Sequence, residues 1–131
     1  MSETKLYSSN ERRFTLVSYN YAHGLLLLRS GRNGAHKTRI DIHFTDVVAI
    51  VSRTHMENLE IYEKDSTLAL ESEINPNDII EPGHRMFSLH FEGGSGYIIA
   101  GNIAMHEDEK QFGEPSFFID KLPLPDTYNR Q

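Results

Sequence analysis

The chain has 131 residues, 38% of them apolar and 24% charged, with seven phenylalanines, six tyrosines and no cysteine. That length suits one domain, and that much apolar and aromatic character excludes a disordered chain. The lack of cysteine excludes disulfides, thiolate zinc sites and cysteine nucleophiles, and a formal charge of −6, from 13 basic and 19 acidic residues, works against binding to the phosphate backbone of nucleic acids.

The opening residues, MSETKLYSSNERR, contain no apolar run of the kind a secretory signal needs, and no later stretch approaches a membrane span. A cytoplasmic protein outside the membrane is the expectation, folded as a single domain over 1–131 with loose termini at 1–11 and 121–131.

From Phe14 the chain reads FTLVSYNY, then His23-Gly24, then LLLLRSG. Two β-rich runs around a glycine predict a hairpin, and the short continuous apolar run at 25–28 predicts a central strand. SGRNGAHK has the composition of a turn. TRIDIHF puts Ile40, Ile42 and Phe44 on one face and Arg39, Asp41 and His43 on the other, the pattern of a half-buried strand with a solvated side. Thr45-Asp46 predicts a tight turn into the β-branched run VVAIVSR, and LEIYEKD alternates again after the polar break THMEN.

Residues 66–80 fit a strand or a short helix, with Asn75-Pro76 and Pro82-Gly83 marking loops. MFSLHF, the turn EGGSG and YIIAGNIAMHED predict a hairpin in which Phe87, Leu89 and Phe91 face Tyr97, Ile99, Ile103 and Met105. Gly101 marks a bulge or a close approach by another backbone. Phe117 and Phe118 are expected to dock ahead of Pro123 and Pro125, which exclude a regular helix or central strand. About seven strands result: a mainly β fold, an antiparallel meander forming a sandwich or a partly open barrel, with at most one or two short helices.

Seven histidines make imidazole the first place to look for chemistry. A loose metal set would be His43, His90 and His106 with Asp41, if their strands are neighbours. Polar faces of sheets also carry histidines without function, and no HxH or HExxH spacing fixes two ligands locally. GxSxG is absent, and GGSGYIIAG leads into a strand rather than a helix, so it reads as a hairpin turn and not a phosphate loop. Glu107, Asp108 and Glu109, with Glu114, form the most concentrated negative patch. They fit either a basic protein surface or a solvated strand end that discourages edge pairing. Protonating all seven histidines would take the charge from −6 to +1, so mild acid should weaken attraction to a basic partner, an unperturbed histidine titrating near pH ~6.5.

In YAHGLLLLRSG, RIDIHFTDVVAIVSR, NLEIYEKD and GYIIAGNIAMHEDE the chain resembles small bacterial proteins of mainly β structure, some of them grouped with immunity proteins of polymorphic toxin systems. The resemblance covers most of the chain in style and transfers no functional residue. It implies a non-enzymatic cytoplasmic protein that blocks a partner by binding, presenting acidic surface to a basic toxin site. The leading expectation is therefore a protein-binding module that needs no cofactor, of the kind that inhibits a basic partner protein. One alternative is a metal-dependent enzyme or metal-binding protein using the surface histidines; the other is a self-associating structural subunit, suggested by Phe117-Phe118.

Overall fold

The structure, a computed structural model, describes residues 3–64 and 83–116. Among these residues ten strands run in chain order: β1 (Glu3–Ser8), β2 (Arg13–Asn20), β3 (Leu25–Ser30), β4 (Arg39–Thr45), β5 (Ala49–Val51), β6 (His55–Glu57), β7 (Glu60–Lys64), β8 (Arg85–Phe91), β9 (Gly94–Ala100) and β10 (Asn102–Asp108). They form two five-stranded sheets, in the orders β1-β7-β8-β9-β5 and β10-β4-β3-β2-β6. Every pairing is antiparallel. The expected mainly β antiparallel fold is the one observed, as a sandwich-like arrangement rather than a closed barrel. No helix among the described residues is long and apolar enough to cross a membrane.

Alternation explains the core. Phe14, Leu26, Leu28, Ile42 and Phe44 from one sheet and Ile61, Phe87, Leu89 and Ile98 from the other are all fully buried in one cluster. Each such side chain contributes about 1.5–3 kcal/mol on burial. Phe44 and Phe87 bridge the two sheets edge to face, ring centroids 5.5 Å apart.

The topology repeats although the sequence does not. Strands β1 to β5 and β6 to β10 follow the same plan, and adding five to each strand number maps every ladder of the described residues onto another. Each half builds a three-stranded meander, β2-β3-β4 or β7-β8-β9, and gives its first and last strands to the edges of the other half's sheet. The chain changes sheet at matching corners. Glu11 and Asn58, both with φ near +55° (58° and 55°), occupy the first pair of bends, where Ser9 N–H donates to Leu59 O and Asn58 N–H donates to Arg12 O, both at 3.0 Å. At the second pair, Val48 N–H donates to Ile99 O at 2.9 Å and Gly101 N–H to Thr45 O at 2.9 Å.

Several local expectations change on this scaffold. Residues 3–8, expected to be loose, pair with β7, and the polar break THMEN contains the edge strand β6 on β2. Thr45-Asp46 is not a hairpin turn but the crossing from β4 to the other sheet, with Asp46 at φ 55°. Ile98 and Ala100, not Tyr97 and Ile99, face the core beside Phe87; Ile99 instead packs with Met86, Ala49 and Tyr97 on the outer side. Ile103 and Met105 belong to the second sheet, opposite Phe44 and Ile42, because the chain leaves its first sheet at Gly101. A Cβ there would meet the Asp46 side chain at 3.0 Å, the close approach that the glycine signals. Residues 66–80, Phe117, Phe118 and 121–131 lie outside the described residues.

Candidate functional site

Strand β4 carries the polar residues singled out by the sequence, and their face is not solvated. Arg39 is 0% exposed, Asp41 1% and His43 3%. Register sets them in rows across β3, β4 and β10: Arg29, Asp41 and His106 in one, Arg39 and Asp108 in the next, Leu27, His43 and Ala104 in a third. Arg29 grips Asp41 with two donors, Nε to Oδ1 at 2.6 Å and Nη2 to Oδ2 at 3.0 Å. Arg39 grips Asp108 in the same way, at 3.1 and 3.0 Å, and its Nη2 lies 4.0 Å from Asp41. Two arginines and two carboxylates thus alternate along the outer face of the sheet. Charges buried in this way are tolerable only when paired and hydrogen-bonded.

The turn after β10 closes over this ladder. Beyond Asp108, Arg39 donates Nη1 to the carbonyls of Gln111 and Glu114 at 2.9 and 2.6 Å and Nη2 to that of Pro115 at 3.2 Å. All five guanidinium N–H groups are then used. Arg29 Nη1 donates to Phe112 O and Arg32 Nη1 to Glu109 O at 3.0 Å. The Phe112 ring lies 5.6 Å from the Arg29 guanidinium and occupies the space that a side chain at Gly31 would need, 2.8 Å from an ideal Cβ. Three arginines hold five carbonyls of residues 109–115, with little dependence on side-chain identity.

Electrostatics follow from that packing. Burial lowers the His43 pKa first of all, with Asp41 pulling it up and Arg29 pushing it down again, so the ring is neutral near pH 7. Burial would raise Asp108, but hydrogen bonds from Arg39 and the Lys110 N–H, with the charges of Arg39 and His106, outweigh it and bring its carboxyl below the ordinary value. His106 Nε2 stands 3.6 Å from Asp108 Oδ2.

The eight residues proposed from sequence fare differently. Asp41, His43 and His106 do share one face, but Asp41 has both oxygens on Arg29. His90 is in the other sheet, opposite Glu60 and Ser95, with its ring 5.3 Å from Tyr62 and its Nε2 3.1 Å from Ser88 Oγ. The four-residue metal set is therefore split between sheets, and no group of three metal-binding side chains converges among the described residues. Of the acidic patch, Asp108 belongs to the ladder. Glu107 accepts from the Thr38 hydroxyl beside Arg12 at 3.9 Å, and the Glu114 carboxylate accepts from Gln111 N–H at 2.7 Å. Glu109 is exposed, with its carbonyl on Arg32.

Arg12 and Arg29 are the residues that sequence reasoning passed over, and Arg39 is one that it left on a solvated face. A signal was present: Leu25 and Leu27 share a face with Arg29, so the run LLLL already says that both sides of the central strand are covered.

The far end of the sandwich is different in kind. The β2–β3 turn, with Gly24 at φ 59°, is tied to the β4–β5 crossing by a hydrogen bond from Val47 N–H to Gly24 O at 3.1 Å. Tyr21 on the turn is 87% exposed, Val48 on the crossing 55% and Tyr19 at the end of β2 46%. His84 Nε2 comes within 3.1 Å of Asp46 Oδ2 without the alignment of a hydrogen bond. That nitrogen, His84 Nδ1 and His23 Nε2 are buried with no hydrogen-bond partner among the described residues. Exposed Tyr19, Tyr21 and Val48 are thus carried at this end by a turn and a crossing that are tied to each other.

No protein-family model, no curated protein and no solved structure matches this chain.

Proposed function

We propose that this chain is a protein-binding module that docks its partner through the end formed by the β2–β3 turn and the β4–β5 crossing. The observation that carries the reading is the exposure of Tyr21, Val48 and Tyr19 together. Tyrosine supplies a large contact area with little conformational entropy to lose and one polar handle, which is why it is enriched at interface centres. The turn is pinned by the Val47–Gly24 hydrogen bond, so this surface is preformed. Of the residues first suggested as metal ligands, His90 is in the other sheet and Asp41 is held by Arg29 through both oxygens, which favours binding over metal chemistry.

A basic partner, of the kind an immunity-type inhibitor would block, fits the net charge of −6 through long-range steering. On this reading the acidic residues near Glu107 brace the turn after β10 and contribute at most to that steering. The test is capture of a host protein by the wild-type chain and by a Tyr21→Ser/Val48→Asp variant of unchanged thermal stability. A partner held by the first and released by the second supports the proposal; equal capture by both overturns it.

A further inference from the structure

The exchange of edge strands has a consequence for self-association. Four ladders, β1·β7, β2·β6, β4·β10 and β5·β9, join strands β1 to β5 to strands β6 to β10. Neither half can pair its own first and last strands. The covalent link between β5 and β6 is three residues, Ser52, Arg53 and Thr54.

We propose that this chain pairs with a second copy of itself by exchanging halves, strands β1 to β5 of one copy assembling with strands β6 to β10 of the other. The dimer keeps every ladder and the core of the described residues, and the link changes course. The link has little to lose. Arg53 donates Nη2 to Gly93 O at 3.3 Å in an exposed position and lies 5.8 Å from the Phe91 ring. The hydrogen bond from Leu16 N–H to Thr54 O at 2.8 Å joins the first half to the start of the second and re-forms between copies. Exchange requires the halves to separate, so it is set during folding, when two chains compete with one for the same contacts. Three link residues span roughly 10 Å. Shortening the link therefore penalises the monomer more than the dimer, in which the link is free to take another course.

The lack of native cysteine makes a clean reporter available. Arg13 and Glu57 are opposite each other on β2 and β6, exposed and 3.3 Å apart at their charged atoms, and they belong to different halves. A full-length Arg13→Cys/Glu57→Cys variant, prepared in isotopically light and heavy forms, is mixed in denaturant, refolded at increasing protein concentration and oxidised. Disulfide-linked peptides are then read by mass. Half-exchange predicts 13–57 peptides joining a light to a heavy chain, their share rising with concentration and becoming dominant when Ser52 and Arg53 are deleted. Peptides 13–57 confined to single chains at every concentration, or dimers joined only 13–13 or 57–57, overturn the proposal even if the deletion variant does not fold.

Discussion

Arg39 holds both carboxylate oxygens of Asp108, at 3.1 and 3.0 Å, from a position with no solvent exposure. The pair joins β4 to the end of β10, and the remaining guanidinium donors fix the turn that follows. A residue that sequence alone assigns to the wet side of a strand is therefore a buried tie between the sheet and its cover.

Replacing Arg39 with methionine removes five donors and leaves a partly buried carboxylate and three carbonyls without them. The expected loss of stability is about 3–5 kcal/mol, the usual cost of breaking a buried pair from one side. Urea unfolding measures it. Amide exchange should also quicken at residues 110–115 before it changes in β8, whose contacts are in the other sheet.

Asp41 lies between two buried guanidinium groups, and Asp41→Asn should cost a similar amount, about 3–5 kcal/mol. An apolar pair, Arg29→Met with Asp41→Leu, removes both charges together and should recover most of that loss, because the two residues are register partners and their effects couple. A double variant no more stable than Asp41→Asn would show that the pair contributes more than mutual neutralisation.

Acid should unfold the protein in two stages. His43 has its pKa lowered in the folded state, chiefly by burial. Its contribution is present in full above the unfolded value of ~6.5 and is lost as pH falls from there through the folded value. Asp108 is also lowered, because Arg39 and its other partners outweigh burial, and so is Glu63, by hydrogen bonding to Arg85. Their contributions are complete above the ordinary carboxylate value of ~4 and are lost as pH falls through the lower folded values. Urea midpoints taken from about pH 8 to about pH 3 should show both stages, and His43→Gln should abolish only the upper one.

Gly96→Ala tests how tightly the edge strand β5 is seated. An added Cβ runs into the Val51 carbonyl oxygen, so β5 must shift, at a cost of about 1–3 kcal/mol. Gly34→Ala is the control: nothing lies within 4 Å of its added Cβ, and the change should stay within about 0.5 kcal/mol. Thermal unfolding of the two variants separates them.

Local alternation made several strands legible. RIDIHFT and MFSLHF show the apolar content and phase that the structure uses, FTLVSYN and LLLLRS show the apolar content of strands but not the bulge between Leu16 and Ser18, and Gly101 announced its own close approach. Legibility ended where a property depends on what covers an element. Arg39, Asp41 and His43 have the phase of a solvated face, yet all three are buried, Arg39 beneath carbonyls of residues 111–115 that are distant in sequence. The β9 phase was misassigned because YIIA has apolar residues on both sides, so alternation cannot choose between Ile98 and Ile99. The two-fold plan of the halves was invisible because it lies in strand pairing, which β1 to β5 and β6 to β10 reach with unrelated residues. Tyr21 and Val48 gave no signal either, since a lone exposed aromatic in a turn gains meaning only beside its neighbour in space.

The proposed function divides the labour: charged residues on β4 and β10 hold the fold, and the tyrosine-bearing end would hold the partner. The most direct measurement is the affinity of the captured partner for two variants compared with wild type, Tyr21→Ser/Val48→Asp and Glu107→Gln/Glu109→Gln. Loss of two central contacts should weaken binding at least ~10-fold, whereas the acidic variant should change it by less than about 3-fold in moderate salt. The reverse order, with the acidic variant losing the partner and the tyrosine variant retaining it, would contradict the account.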